Sequence, residues 1–428
     1  EGLAVEGIVT VDRGAVAVDD HDRRALEGDV VLGRRGDGRG QRVAAIHGVA
    51  EAPVAELLAG ARDPYTRELL AAAPGLALTA PPVLPPVDTA GTPVAEVRDL
   101  VKEFPLPRAR GSWTRRTHRA VDGVSFTIAR GETVALVGES GSGKTTIARI
   151  LLGFERPTSG DVSYFGEPFV RSRRAADRLA HARRIQMVFQ DPYASLNSQM
   201  SAAEIIAEPW RSHKGLIKNR QDRDMRVRGL LDLVGLGAKA ADKYPQEFSG
   251  GQRQRIGIAR ALALNPDVII CDEPVSALDL SVQAQVLNLL NDLQEQLGIS
   301  YIFISHDLSV VRHVADRVAV MYLGKIIENG PTDTVFDRSD HPYTAALMSA
   351  APTLDGTHRQ ERILLSGEVP SPLNPPSGCR FRTRCWKATE VCASATPPVT
   401  VDPDFDGHTA LCHHPLLLEG SGLETVSA

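Results

Sequence analysis

Short apolar runs alternate with longer amphipathic stretches through the middle of this chain. The runs at residues 133–137, 268–271 and 301–304 are dominated by apolar side chains, which is typical of buried parallel strands. Strand-like patterns at residues 94–104 and 121–128 come before them. Strands that alternate with helical stretches predict an α/β fold, in which helices cover a parallel sheet.

A second pattern interrupts this alternation between about residues 194 and 246. Residues 202–206 and 225–234, within that segment, have apolar positions at helical spacing. We therefore predict a helical subdomain inserted into the sheet domain.

A glycine-rich loop follows the first apolar run and precedes a helix-like stretch. Its residues are Gly138, Glu139, Ser140, Gly141, Ser142, Gly143, Lys144, Thr145 and Thr146. Glycines let backbone N–H groups surround phosphate oxygens, and the helix that follows adds the positive end of its dipole. We expect Lys144 to contact the β- and γ-phosphates and Thr145 to offer its hydroxyl to Mg²⁺. This context favours a nucleotide site over a glycine-rich surface turn.

Polar side chains end the other two apolar runs. Asp272 and Glu273 follow the second run, and Ser305, His306 and Asp307 follow the third. Because ligands bind at the carboxyl ends of parallel strands, we expect these groups to lie beside the phosphate loop. A helix cap with a surface acid, or a packed histidine, is the plainer alternative.

The balance of charge limits the partners of the protein. The 428 residues have a formal net charge of −5, so no overall basic field predicts nucleic acid binding. No apolar run approaches the length of a bilayer span, and no signal peptide opens the chain. We therefore expect a cytosolic protein that meets a membrane only through a partner.

Four of the five cysteines lie in the last 50 residues, at Cys379, Cys385, Cys392 and Cys412. In a cytosolic chain such a group favours a metal site over a disulfide framework. Four thiolates suit a [4Fe–4S] cluster or a tetrahedral zinc, and this spacing does not choose between them. His413 and His414 are further candidates for zinc, and reduced buried thiols are the alternative to any metal. Cys271 is expected to pack in the sheet.

The first 90 residues hold a proline-rich stretch and one half of an internal repeat. Four prolines at residues 80–86 predict a stiff, extended linker. Residues 63–74 align with residues 341–352 around a shared Pro-Tyr-Thr sequence. This similarity predicts a duplication whose first copy has lost its phosphate loop, although coincidence in an Ala/Pro-rich chain is the alternative.

Over residues 94–335 the chain resembles the nucleotide-binding subunits of ABC transporters. Beyond the phosphate loop, the resemblance rests on motifs in the family's order at residues 186–192, 248–252, 272–273, 276–279 and 305–307. It implies that Phe104 stacks on adenine and that Asp272, Gln190 and Thr145 hold Mg²⁺. It also implies that Glu273 polarises the water that attacks the γ-phosphate, with Gln190 and His306 as further catalytic residues.

The family signature has a different implied role. Ser249, Gly250, Gly251 and Gln252 resemble it, with Phe248 in place of the commoner leucine. In this family the signature of one domain closes over ATP held by another. The resemblance therefore implies a second nucleotide-binding domain as partner, either another copy of this chain or a sibling subunit.

Segments at residues 191–197, 244–255 and 341–344 resemble the ATPases of bacterial dipeptide and oligopeptide importers in particular, as does the cysteine tail. This resemblance favours the iron–sulfur cluster and implies import of peptides, or of another small solute such as nickel. The implied partners are two transmembrane permease subunits and, through the complex, an extracytoplasmic peptide-binding protein. The implied location is the cytoplasmic face of the membrane.

Three domains are thus predicted. Residues 1–90 would be a shortened first copy with its linker, residues 94–335 an ABC-type nucleotide-binding domain, and residues 336–428 a C-terminal extension with the four cysteines. Two other functions stay open at this point. One is a soluble ABC ATPase acting on ribosomes or DNA, and the other is a binding module whose defective copy only scaffolds a partner.

Overall fold

The chain divides into two compact units, residues 1–71 and 72–428. The structure, a computed structural model, describes residues 32–36, 41–45, 51–53, 91–106, 117–169, 174–350, 362–402 and 407–416. In the first unit the described strands form an antiparallel sheet of β1 (Leu32–Gly36), β2 (Gln41–Ala45) and β3 (Glu51–Pro53). The linker at residues 80–86 and the repeat at residues 63–74 lie outside the described residues, so the duplication stays a prediction.

A parallel sheet forms the centre of the second unit. Within the described residues its parallel strands have the order β12-β6-β11-β10-β9. They are β6 (Thr133–Val137), β9 (Ile185–Val188), β10 (Val268–Asp272), β11 (Ser300–Ile304) and β12 (Arg317–Tyr322). The strands predicted from the three apolar runs are confirmed, and β6 and β11 are buried along their whole length.

Antiparallel strands extend this sheet beyond β12. They are β13 (Lys325–Pro331), β15 (Thr409–Leu411) and β14 (Val399–Val401), in that order. The pairs Glu328 with Ala410 and Asn329 with Thr409 join β13 to β15. Part of the predicted C-terminal extension is therefore continuous with the sheet of the nucleotide-binding domain.

A second, antiparallel sheet has the order β5-β4-β7-β8 in the described residues. Its strands are β4 (Ala95–Pro105), β5 (Thr117–Ile128), β7 (Ser159–Tyr164) and β8 (Glu167–Pro168). Strand β5 begins at Thr117, four residues before the strand-like pattern predicted at residues 121–128. Arg119 pairs with Glu103 of β4 and forms ion pairs with Glu103 and Asp122, which favours the strand.

Helices cover the central sheet and form the inserted segment. The described helices are α1 (Lys144–Leu151), α2 (Ala175–Arg184), α3 (Pro192–Ser195), α4 (Ala202–Ser212), α5 (Arg220–Leu233), α6 (Gly250–Leu262), α7 (Leu280–Leu297), α8 (Leu308–Val314), α9 (Thr332–Asp337), α10 (Pro342–Ser349) and α11 (Glu390–Ser394). The predicted helices at residues 202–206 and 225–234 are present as α4 and α5. Ser201 begins α4 with a capping box to Glu204, which explains that boundary. In the described part of the chain, no helix combines the length and the apolar character needed to cross a bilayer.

Strand β6 shows how the central sheet joins two hydrophobic cores. Val134 and Leu136 pack into a core shared with the antiparallel sheet and α1. Ala135 and Val137 point the other way, into a core shared with the helices of the inserted segment. Trp210 of α4 closes this second core, since its indole N–H donates to the carbonyl of Ala263 at 2.7 Å. The sheet is therefore covered on both faces, which explains why its strands are apolar throughout.

A buried histidine links the C-terminal strands to β13. His408 Nε2 lies 2.9 Å from Glu328 Oε1, and its Nδ1 lies 3.3 Å from Asp402 Oδ2 and 3.9 Å from Asp340 Oδ2. Burial by itself lowers the pKa of His408, but the hydrogen bonds to Glu328 and Asp402 and the charge of Asp340 outweigh it and raise the pKa. The imidazolium form therefore stabilises the attachment of β15.

We expect the protection of β15 against hydrogen exchange to weaken as the pH rises above about 6.5, the pKa of an unfolded histidine. Because the folded pKa is raised, protonation of His408 stabilises fully below that pH, and the contribution is lost as pH rises through the folded pKa. The protection is measured as the rate of hydrogen exchange at Thr409–Leu411, corrected for the intrinsic effect of pH on exchange.

His408→Gln should remove this pH dependence. His118→Gln is the control. The hydrogen bond described for the His118 ring is to the Pro372 carbonyl, at 3.1 Å, and does not involve β15. Equal pH dependence of β15 protection in the wild type and in His408→Gln would contradict the role of the histidine.

Candidate functional site

The phosphate loop fits between two strands only because it contains glycine at two points. Gly138 has φ of +145°, and a Cβ there would lie 2.2 Å from the carbonyl oxygen of Met321 on β12. Gly143 has φ of +110°, and a Cβ there would lie 2.5 Å from the carbonyl oxygen of Ala120 on β5. Both positions combine a left-handed backbone with contact to another backbone, so no other residue fits without a shift.

The loop encloses the ammonium group of Lys144. Its Nζ donates to the carbonyls of Gly138 at 2.7 Å and Glu139 at 3.0 Å, and it lies 3.3 Å from the hydroxyl of Ser142. Burial lowers the pKa of Lys144, while the negative charges of Glu273, Asp272 and Glu139 act in the opposite direction. A buried cation at the start of α1 can transfer these contacts to phosphate oxygens.

The remaining loop residues differ in their accessibility. Ser142 is buried and Thr146 is half-buried, whereas Ser140, Gly141 and Thr145 are exposed. The Thr145 hydroxyl, which was predicted to reach Mg²⁺, is therefore open to a ligand.

Two carboxylates follow the end of β10. Asp272 is its last residue and pairs with Ile304 of β11. Burial raises the pKa of Asp272, the charge of Glu273 raises it further, and Lys144 and Arg149 oppose this. Glu273 has φ of +46°, and its N–H donates to the Ile304 carbonyl at 2.8 Å. The two adjacent acids therefore still repel each other, and the backbone of Glu273 is held to the end of β11.

Three predicted site residues meet at Glu273. The side-chain amide of Gln190 donates to Glu273 Oε2 at 2.7 Å, and His306 Nδ1 lies 3.0 Å from Glu273 Oε1. The three residues follow β9, β10 and β11, whose carboxyl ends lie together at one edge of the sheet. The His306 side chain is 66% exposed, so its other ring nitrogen can face a ligand.

Phe104 lies near the end of β4, opposite His118 of β5. Its ring is half-buried, and Lys102 Nζ lies 4.8 Å from the ring centroid. The contact with adenine stays a prediction.

The signature residues form the start of α6. Ser249 is its N-cap, and the Ser249 hydroxyl and the Gln252 side chain exchange hydrogen bonds with each other's backbone N–H. Gly251 packs against α7, since a Cβ there would lie 2.1 Å from Val282 Cγ1. Ser249 and Gln252 are exposed, Gly250 is half-buried and Phe248 is buried. The hydrogen bonds described for these side chains are local, so the signature is not joined to the phosphate loop of its own chain.

Two residues that contact the phosphate loop, Arg384 and Tyr343, were not predicted from the sequence. The carboxylate of Glu139 accepts two hydrogen bonds from Arg384 Nη1, at 3.0 and 3.1 Å, and its N–H donates to the Tyr343 hydroxyl at 3.1 Å. Arg384 lies beside Cys385, and Tyr343 belongs to the repeat segment. In the sequence, both residues lie next to positions that were predicted to have other roles. Only the fold shows that they contact Glu139.

Two hydrogen bonds hold parts of the cysteine-containing segment in place. Cys379 N–H donates to the Cys392 carbonyl at 2.8 Å, and the His414 N–H donates to Cys412 Sγ at 3.3 Å. Burial raises the pKa of Cys412 to about 12, the His414 N–H opposes this, and the other three thiols raise it further. The four sulfurs therefore lie within electrostatic reach of one another.

The distances between the four sulfurs limit the kind of metal group that they can hold. Within the described residues, only Asp340, Asp402 and His408 place three ligand atoms within 4.8 Å of one another, so no three of the sulfurs do. A single zinc with bonds of about 2.3 Å would hold its sulfurs about 3.8 Å apart. In the described structure no three of the sulfurs lie that close together.

Comparison with known proteins identifies two regions of the chain. The ABC transporter family profile matches residues 121–276, and the profile of the oligopeptide/dipeptide transporter C-terminal region matches residues 327–392. The dipeptide transport ATP-binding protein DppF of Haemophilus influenzae is 49% identical over 323 residues, which cover 76% of this chain and 97% of DppF. The oligopeptide transport ATP-binding protein AppF of Bacillus subtilis is 49% identical over 324 residues, with 75% and 97% covered.

A solved structure gives the same result for the fold. The structure of cbiO1 from Clostridium perfringens, part of the ABC transporter complex cbiONQ, matches with a TM-score of 0.50 and 29% sequence identity. The match covers 58% of this chain and 92% of cbiO1.

We expect Gly138→Ala to weaken ATP binding by at least about tenfold, because a Cβ at this φ meets the Met321 carbonyl and displaces the loop. Gly131→Ala is the matched control: Gly131 has φ of +71°, but a Cβ there meets no atom within 4 Å. Equilibrium titration with a fluorescent ATP analogue measures both. Unchanged affinity in Gly138→Ala would contradict the close fit of the loop.

Proposed function

The chain belongs to the ABC transporter family of ATP-binding subunits, and from this premise we propose how its residues power the import of peptides. It hydrolyses ATP, and relatives named for dipeptide and oligopeptide transport are about half identical to it over almost their whole length. The match of residues 327–392 to the oligopeptide/dipeptide transporter C-terminal region favours peptides over nickel or another small solute.

The meeting of Gln190, Glu273 and His306 is the observation that carries the mechanism. In our proposal the phosphate loop binds the β- and γ-phosphates through its N–H groups and Lys144. Both oxygens of Glu273 are held in position, by Gln190 and by His306, so the carboxylate can orient a water molecule for attack on the γ-phosphate. With its proton on Nδ1, His306 would donate to Glu273 Oε1 and turn the opposite edge of its ring towards the γ-phosphate.

The donor set at the strand ends also fits Mg²⁺. The Asp272 carboxylate, the Thr145 hydroxyl and the Gln190 amide oxygen are oxygen ligands of the kind that Mg²⁺ prefers. When bound there, the ion neutralises charge on the phosphates. Lys144 and Arg149, which oppose the raised pKa of Asp272, help to keep this carboxylate available as a ligand.

We propose that the signature acts on a second molecule of ATP. Ser249 and Gln252 are exposed at the start of α6 and hydrogen-bond only locally in the described structure, so they are free to meet another nucleotide-binding domain. That domain would be another copy of this chain or a sibling subunit. Residues 1–90 would contribute no ATP site, because they lack a glycine–lysine loop.

The proposed partners follow from this function. Two transmembrane permease subunits would receive the movement of the inserted helices at residues 194–246, and a peptide-binding protein outside the cell would supply the substrate to them. The chain would lie at the cytoplasmic face of the membrane, as a peripheral subunit.

We also propose that Cys379, Cys385, Cys392 and Cys412 hold a [4Fe–4S] cluster with a structural role. Their mutual electrostatic influence supports a shared metal group, and the wider spacing of the sulfurs supports a cluster over a single zinc. The chain's own contribution is to fix the four thiolates from three separate stretches at the edge of the fold.

We expect Glu273→Gln to lower ATP hydrolysis by at least about 100-fold, because the amide cannot accept the proton from the attacking water. ATP binding should be retained, since Lys144 and the loop are unchanged. Phosphate release and ATP affinity are the measurements, with the exposed Glu295→Gln as control. Peptide uptake that persists in Glu273→Gln cells would count against the mechanism.

The cluster proposal is tested by metal content. Protein purified without oxygen should contain about four iron and four sulfide per chain. Cys379→Ser or Cys412→Ser should lose them, whereas Cys271→Ser, whose buried thiol lies in β10, should not. Stoichiometric zinc in place of iron would overturn the assignment.

A further inference from the structure

The short segment between two of the clustered cysteines touches the phosphate loop. Arg384 lies one residue before Cys385, and its guanidinium donates to both carboxylate oxygens of Glu139. The Arg384 side chain is 9% exposed and that of Glu139 is 30% exposed, so this ion pair is partly shielded from water. An ion pair that is shielded from water and contains two hydrogen bonds is stronger and more directional than a surface ion pair.

A second arginine of the same segment supports the loop from its other side. Arg380 donates to the carbonyl of Leu323 and to the carboxylate of Asp122. The Asp122 N–H donates to the Gly324 carbonyl at 2.8 Å, and the Gly324 N–H donates to the Ser142 carbonyl at 2.9 Å. Hydrogen bonds thus connect Arg380 to the phosphate loop through two residues.

Aromatic packing fixes the segment between these two arginines. Phe381 is 1% exposed, and its ring centroid lies 5.4 Å from those of both Tyr322 and Tyr343. Tyr322 ends β12, and Tyr343 is the residue whose hydroxyl accepts from the Glu139 N–H. The segment therefore has a defined position relative to the loop.

We propose that Arg384 and Tyr343, supported by Arg380 and Phe381, form a clamp on Glu139 that sets the affinity of the phosphate loop for nucleotide. Glu139 is a negative charge in a loop that must receive a triphosphate. Arg384 neutralises it and, with Tyr343, holds its backbone in place. Arg380, Arg384 and Tyr343 are positioning residues, because they act through the loop and do not touch the phosphates. The inference rests on the proposed binding of ATP by this loop.

The clamp also connects the thiols to the nucleotide site. Cys379 and Cys385 flank residues 380–384 directly, so a group held by the two thiols would, together with the packing of Phe381, constrain where Arg380 and Arg384 lie. Loss of that group should change the affinity for nucleotide, although the residues that contact the phosphates stay the same.

The test measures ATP affinity of the full chain in a Glu273→Gln background, where hydrolysis does not interfere. Arg384→Gln should weaken ATP binding about tenfold, because the Glu139 charge is left beside the phosphates. Arg382→Gln is the matched control: this arginine lies in the same segment, but its guanidinium donates to Ser377. It should leave the affinity unchanged.

A double variant separates the clamp from a general loss of stability. Glu139→Gln with Arg384→Gln should recover affinity to within about threefold of the parent, because the repulsive charge is gone. An Arg384→Gln protein with parental affinity, or a double variant weaker than Arg384→Gln, would overturn the proposal. If the parent itself bound ATP no better than its Lys144→Ala variant, the proposed function would fail instead.

The connection to the thiols is tested in the same assay. Cys385→Ser should weaken ATP binding in the parent and have little further effect once Arg384→Gln is present, because both changes act through Glu139. Equal effects of Cys385→Ser in both proteins would show that the thiols do not act through the clamp.

Discussion

The fold of the site depends on the contact of two glycines with the backbones of neighbouring strands. Gly138 lies against the Met321 carbonyl and Gly143 against the Ala120 carbonyl, so the loop can pass between β12 and β5 only in one shape. That shape places Lys144 inside the loop and starts α1 directly after it. The parallel register of β12, β6, β11 and β10 then brings Asp272, Glu273 and His306 to the same edge.

The partly buried site also brings one cation, Lys144, together with several carboxylates. Lys144 has three carboxylates around it, those of Asp272, Glu273 and Glu139, and each is compensated in a different way. Asp272 has Arg149 nearby, Glu273 accepts one hydrogen bond from Gln190 and is contacted by His306, and Glu139 is paired with Arg384. A nucleotide adds further negative charge, so these compensations decide how readily the loop accepts it.

The C-terminal part of the chain is built into this arrangement. It adds β15 and β14 to the central sheet and packs Phe381 against Tyr322 and Tyr343. It also buries the charged network of His408 and places Arg380 and Arg384 against the walls of the phosphate loop. The C-terminal segment is therefore part of the central sheet, and its arginines contribute to the electrostatics of the ATP site.

The sequence by itself determined the strands, the phosphate loop and the candidate catalytic residues. Apolar runs reveal buried strands, and Gly138, Lys144, Asp272 and Glu273 belong to motifs whose residues are close together in the chain. Only the tertiary structure decided that Glu139 is paired with Arg384, 245 residues away, and that His408 is buried against Glu328, 80 residues away. It also decided that β5 begins at Thr117, before the strand-like pattern at residues 121–128. Such contacts depend on how separate segments pack against one sheet, and no local pattern of residue types records that packing.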